Sequence, residues 1–144
     1  MKKTLLILFS VLLQTICCNA QINKIVGEWI TIDDNTGQEM AVVNIYKAKD
    51  GKYYGKITKV LVPGNENNVC TECVGNDKDK PIVGMVIVRN MEEKGDELVG
   101  GKVLDPDNGK FYYAKISYDN GRLKLRGSLD KAGLLGRSQY WKKK

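Results

Sequence analysis

The sequence of 144 residues predicts an all-β fold: a single small antiparallel up-and-down β-barrel of about eight strands. Three observations predict it. From residue 25 onward, short runs rich in β-branched and aromatic residues are separated by turn signals about every ten residues. Eight runs can be marked out, the number that closes into a small barrel whose interior is filled by side chains or holds one small ligand. Glycines at Gly55, Gly84, Gly100-Gly101 and Gly127 interrupt these runs, permitting the bends and bulges by which a sheet closes on itself.

Strand one is expected from Ile25 to Ile32, stopped by Asp33-Asp34-Asn35-Thr36-Gly37. Strand two runs from Met40 to Ala48, with Met40, Val42, Asn44 and Tyr46 on one face and Ala41, Val43 and Ile45 on the other. Asp50-Gly51 turns the chain tightly, since glycine reaches positive φ without steric strain. Strand three spans Tyr53 to Val62, and a long polar segment, Pro63 to Pro81, follows. Strand four covers Ile82 to Asn90, and Met91-Glu92-Glu93-Lys94 could form one helical turn. After Lys94-Gly95-Asp96, strand five takes Leu98 to Leu104, and Asp105-Pro106-Asp107-Asn108-Gly109 is a strong turn. Strand six is Phe111 to Tyr118, strand seven Arg122 to Ser128 and strand eight Leu134 to Trp141. No helix-period stretch exceeds about two turns.

The bulk numbers fit one globular domain, with 28% charged and 42% hydrophobic residues. Residues 1–20 read as a cleaved secretory signal peptide. Lys2 and Lys3 form its charged start, Leu5 to Leu13 is apolar except for Ser10, and Cys18-Asn19-Ala20 places small residues for a cut before Gln21. The apolar run is too short to span a bilayer, which takes about 20 residues, and no transmembrane segment is expected. Ile16 before Cys17, and Cys17 before Cys18, fit a lipid-modified cysteine poorly, so lipoprotein anchoring is not expected. Residues 21–144 would then be one exported domain, periplasmic or secreted, in an oxidising compartment. Without the first twenty residues, 21 bases face 17 acids. The lysines are scattered rather than gathered into a stripe with stacking aromatics, so no nucleic-acid partner is expected.

The chain contains no histidine, which excludes Ser–His and Cys–His nucleophilic catalysis and most catalytic zinc sites. It has no phosphate loop and no dinucleotide fingerprint. Paired carboxylates such as Asp33-Asp34 and Asp105 with Asp107 sit in turns, where Asp ordinarily bonds backbone amides. No catalytic residue, metal or cofactor is expected. Cys70-Thr71-Glu72-Cys73 is the sharpest local motif. A disulfide stiffening the loop is the leading reading. A redox pair would need a helix N-terminus, and a structural zinc would need two more ligands.

Gly27-Glu28-Trp29 opens the first strand. Trp29 could plug the closed end of the barrel, with Arg137 of the last strand stacked on its face. A core aromatic is the equal alternative for Trp29. Seven tyrosines, Tyr46, Tyr53, Tyr54, Tyr112, Tyr113, Tyr118 and Tyr140, could line a cavity for an amphipathic ligand, although half-buried strand positions are their usual place. Arg89 and Arg126 lie mid-strand, where solvent is the commoner destination; turned inward, either would anchor a carboxylate. Tyr54, Arg89, Tyr112 and Arg126 are therefore the candidate ligand residues.

Taken together, these residues resemble an uncharacterised family of exported bacterial proteins, domain of unknown function 2147. The matching pieces are Gly27-Glu28-Trp29, the Asp33 to Gly37 turn, Tyr54-Gly55-Lys56-Ile57, Cys70-x-x-Cys73, Pro81-Ile82-Val83-Gly84 and Gly100 to Pro106. Leu125-Arg126-Gly127 and Gly136 to Trp141 complete them. The resemblance implies a lipocalin-like (calycin-like) barrel, an exported location and a structural role for Cys70 and Cys73. It carries no activity, ligand or partner.

Three functions follow as expectations. The first is a non-enzymatic envelope protein binding a small hydrophobic or amphipathic ligand in the mouth of its barrel. The alternative is a protein-interaction or inhibitor module that meets a protein partner with loop 63–81. A thiol-redox role for the cysteine pair is a third.

Overall fold

The computed structural model describes residues 20–144. The proposed leader, residues 1–19 with Cys17 and Cys18, lies outside the described residues. Eight antiparallel strands follow one another: β1 (Gly27–Ile32), β2 (Glu39–Lys47), β3 (Tyr53–Val60), β4 (Val86–Lys94), β5 (Glu97–Asp105), β6 (Lys110–Asp119), β7 (Arg122–Ser128) and β8 (Gly136–Lys143). They form a closed barrel in sequence order. The closing seam is short: Trp29 pairs with Lys143, and Ile30 with Lys142.

Most strand boundaries agree with the turn chemistry within two residues. Two expectations are corrected. Strand four begins at Val86, four residues later than expected, because Ile82 and Gly84 belong to the long connection: the Ile82 amide bonds the Asn68 carbonyl and Gly84 has φ +92°. Met91 to Lys94 forms no helical turn; it continues β4, with Glu92, Glu93 and Lys94 paired to Val99, Leu98 and Glu97. The Gly95 turn permits this by reversing the chain directly.

The barrel corner lies between β4 and β5. Their ladder is interrupted between Arg89↔Lys102 and Glu92↔Val99. Asn90 (φ +58°) and Gly100 (φ +78°) take left-handed conformations there. A Cβ on Gly101 would run into the Arg89 carbonyl, so the backbones approach as only glycine allows. Gly55 also sits at a register irregularity, between β3 and β4. Gly127 does not mark a bend: it pairs regularly with Ala114 and Arg137.

The interior is filled. Trp29, Val43, Ile45, Val88, Met91, Leu98, Leu104, Ile116 and Leu123 are each less than 2% exposed and form one apolar cluster. At one end a short helix, residues 20–25, closes the barrel. Its Ile22 and Ile25 join the core, and the Trp29 indole N–H donates to the Ile25 carbonyl at 2.7 Å. Strand one therefore begins at Gly27, not Ile25. With all connections antiparallel, the segments 33–38, 61–85, 106–109 and 129–135 gather at the opposite end, the mouth.

Candidate functional site

The mouth is built from turns that hold themselves rigidly. The Asp33 carboxylate accepts from the Thr36 amide and hydroxyl and from the Asn35 amide, which hold its carboxyl below the usual range. Asp105 accepts from the Asp107 amide at 3.0 Å and the Asn108 side chain at 2.9 Å. Asp107 keeps accessible surface as a residue, yet burial of its carboxyl among the mouth turns pushes its pKa up, and nearby Asp105 and Asp33 add repulsion.

The long segment is a folded lid. Cys70 and Cys73 form a disulfide, both nearly fully buried in the core cluster. The Cys70 amide donates to the Lys80 carbonyl at 2.9 Å, and the Asp79 amide to the Cys70 carbonyl at 3.0 Å. Val69 bridges Pro81, giving the segment a small hairpin of its own. Cys70 Sγ lies 3.4 Å from the Pro106 carbonyl oxygen. Gly109, at φ +67°, packs so closely on the lid that a Cβ would collide with the Glu72 carbonyl. The lid thus rests on the β5–β6 turn and covers the core beneath it.

The β7–β8 loop is equally organised. The Asp130 carboxylate accepts from the Leu134 and Leu135 amides at 3.0 and 2.6 Å, which hold its carboxyl below the usual range. Arg126 donates from Nε to the Gly133 carbonyl at 2.8 Å and from Nη2 to the Leu134 carbonyl at 3.3 Å. The Ser128 hydroxyl donates to the Asp130 carbonyl. On this scaffold Leu129, Leu134 and Leu135 stand 70%, 80% and 67% exposed, and Val74 on the lid stands 72% exposed.

Large apolar side chains left exposed among the described residues concentrate here. Val69, Val74 and Val83 are on the lid segment and Leu129, Leu134 and Leu135 on the β7–β8 loop; Val26 and Phe111 lie elsewhere. Concavities of about 370 and 110 Å³ are on the outer wall, the first lined by Arg89, Gly100, Gly101, Lys102 and Phe111, the second by residues such as Glu97, Lys115 and Arg126.

The four candidate ligand residues do not converge. Tyr54 lies on the outer wall toward the closed end; its hydroxyl bonds Asp50 and Asn90, and its ring stacks on Tyr46. Arg89 is held outside: its Nη2 donates to Asp77 at 3.0 Å, its Nε to the Val86 carbonyl, and its guanidinium covers Phe111. The guanidinium keeps the Asp77 carboxyl below its usual range. Tyr112 packs against the core near the mouth, where its hydroxyl accepts from Asn108 at 3.1 Å. Arg126 serves the β7–β8 loop. The tyrosines form no shared lining: Tyr113 and Tyr140 lie under Lys102 and Arg122 on the outer wall.

The Trp29–Arg137 stack is corrected. Trp29 sits at the closed end with the Lys143 ammonium over its ring at 4.5 Å and Tyr118 edge-on at 6.5 Å. Arg137 is at the other end of β8, facing Asp34 at 3.7 Å. Sequence proximity of first and last strands was right, but the antiparallel register sets Trp29 opposite Lys143, six residues beyond Arg137. Sequence reading also missed the exposed leucines, having assigned Leu134 and Leu135 to a strand. Asp130 followed by Gly133, a turn composition, was the available signal.

Among the described residues no group of three acidic or sulfur side chains is disposed to hold a metal. No helix there is long and apolar enough to cross a membrane. A family model described as uncharacterised protein conserved in bacteria (DUF2147) matches residues 27–143. No curated protein matches the chain. Among solved structures, the chain is similar to protein HP1028 from the human pathogen Helicobacter pylori, described as belonging to the lipocalin family. That likeness has a TM-score of 0.72 at 21% identity, over 83% of this chain and 82% of that one.

Proposed function

The chain belongs to the uncharacterised bacterial family DUF2147 and has a lipocalin-like barrel, and on that premise we propose that it is a non-enzymatic binding protein whose contact surface is the mouth rim. One observation carries this reading: the exposed apolar side chains gather on the lid and the β7–β8 loop, while the lumen is packed. Rigid loops lose little entropy on binding, which favours contact through the surface they present. Loop 63–81 is part of that rim, as the loop-contact alternative requires. Export remains part of the proposal and rests on the first twenty residues.

Photo-crosslinking tests it. A photoreactive residue at Val74 or Leu134 should capture a macromolecule in cells that make the protein, and one at Asn120, on the closed end, should not. Adducts confined to Asn120, or to neither end, would reject the reading.

A second reading, a small ligand in the barrel, has one observation of its own. The Trp141 indole N–H is buried and has no hydrogen-bond partner among the described residues. A ligand oxygen would satisfy it, but core side chains would have to move aside. A ligand mass retained in the native mass spectrum of the protein, and lost in Trp141→Phe, would favour that reading.

A further inference from the structure

We infer that the outer wall of β6, β7 and β8 docks a carboxylate-bearing polysaccharide, one acidic sugar of which seats between β6 and β7. This surface is separate from the mouth. The segments forming the mouth carry eight acids against three bases, so the positive charge of the chain lies on the strands. β6, β7 and β8 hold two, three and three bases, against a single acid, Asp119. Strand alternation turns most of these bases to one face. Ala114, Ile116, Leu123, Leu125 and Trp141 are buried, so Lys115, Arg122, Lys124, Arg126 and Lys142 lie on the outer side. Bases that are scattered along the sequence thus meet on one wall.

The register makes this wall costly for the free protein. Lys115 stands directly opposite Arg126, and Arg122 directly opposite Lys142. Like charges so placed destabilise a sheet. The chain's own carboxylates answer only part of the charge. Lys115 reaches Glu97 at 2.8 Å and Lys142 pairs with Glu39, but Arg122 and Lys124 make no salt bridge among the described residues. An anionic partner relieves the remaining repulsion. The concavity of about 110 Å³ lies at this place, lined by Glu97, Lys115, Ser117, Lys124 and Arg126. Three cations against one carboxylate leave it positive.

The chemistry around it selects the partner. Ser117 adds a hydroxyl, and Ser138 and Tyr140, opposite Arg126 and Lys124, carry hydroxyls on to β8. Cations suit the carboxylate of an acidic sugar, while hydroxyls and the Glu97 carboxylate suit its hydroxyl groups. The concavity takes one acidic group, and the basic wall beyond it takes the charges that follow along a polymer. A bilayer would need apolar groups to insert, and β7 presents Arg122, Lys124 and Arg126 outward with no apolar residue among them. Nucleic acid would stack its bases on aromatic rings. Here the Tyr140 ring lies under Arg122 at 4.3 Å and Lys124 at 5.9 Å, and Tyr113 lies under Lys102 at 5.1 Å. The amides of β6 and β7 are already paired in the ladder, so contact through these side chains leaves their exchange as it is.

The experiment is calorimetric titration of the purified protein at low ionic strength with alginate oligosaccharides, with neutral dextran oligosaccharides and with oligothymidylate. Alginate should bind, more weakly as salt is added, and dextran should not. Lys115→Gln with Lys124→Gln should weaken alginate binding by about tenfold. The thermal midpoint should not fall, because the substitutions relieve like-charge repulsion and the salt bridge lost is exposed. Lys56→Gln with Lys59→Gln removes the same charge from exposed positions on β3, across the barrel, and should leave binding unchanged. Equal losses from the two pairs would make net charge the cause and overturn the inference. So would the absence of alginate binding. Oligothymidylate bound as tightly as alginate would assign the wall to nucleic acid and overturn it too.

Discussion

Trp29 shows how much a single side chain does at the closed end. It is fully buried, donates to the Ile25 carbonyl and lies under the Lys143 ammonium. Trp29→Phe should cost about 2 kcal/mol in denaturant unfolding, from lost volume and an orphaned carbonyl. Lys143→Gln should cost roughly 0.5 kcal/mol, and Arg137→Gln should leave tryptophan fluorescence unchanged. A large effect of Arg137→Gln on that fluorescence would contradict the assignment. Asp107 makes a pH prediction. Its folded pKa is raised above the unfolded value, so the ionised carboxylate disfavours folding. That penalty is absent below the unfolded pKa and grows as pH rises through the folded one. Asp107→Asn should therefore raise the thermal midpoint at neutral pH, and the gain should vanish in acid. A gain that persists in acid would mean another cause. Trp29's burial was legible from its place after Gly27, but its partner was not, because register depends on the whole circuit of strands.

The lid is the element whose behaviour separates structure from contact. It rests on the β5–β6 turn through Cys70 and Gly109. Gly109→Ala should unseat it, because the substitution adds a Cβ against the Glu72 carbonyl at a positive φ. Amides of Cys70 and Asp79 should then exchange faster, while those of β6 and β7 stay protected. Uniform loss of protection would mean the lid is integral to the core. Reduction of the Cys70–Cys73 bond should cost about 2 kcal/mol, the value for so short a ring. The cysteine motif was legible as a disulfide from spacing and the expected compartment. The lid's own hairpin was not, because Pro63 to Pro81 has turn composition and its pairing, Val69 to Pro81, spans eleven intervening residues. Strand four was misplaced for the same reason: Ile82-Val83 looks like strand but bonds the lid.

At the scale of the molecule, eight β-rich runs and their hairpin turns made the barrel legible, since each connection is local. Whether it is hollow was not, because filling depends on which faces turn inward and how tightly the corner at Gly101 closes. The packed lumen moved the functional reading from the cavity to the rim. Export has its own check: the protein isolated from its cells should begin at Gln21, which retains Ile22 and Ile25 to close the barrel; a start beyond Ile25 would contradict that reading. The central claim is tested most directly by hydrogen exchange of the purified protein with and without envelope fraction from the producing cells. Protection should rise at residues 69–74 and 129–135 and stay constant across β5 to β7. Protection gained along those strands, with the rim unchanged, would put the ligand inside and contradict the account.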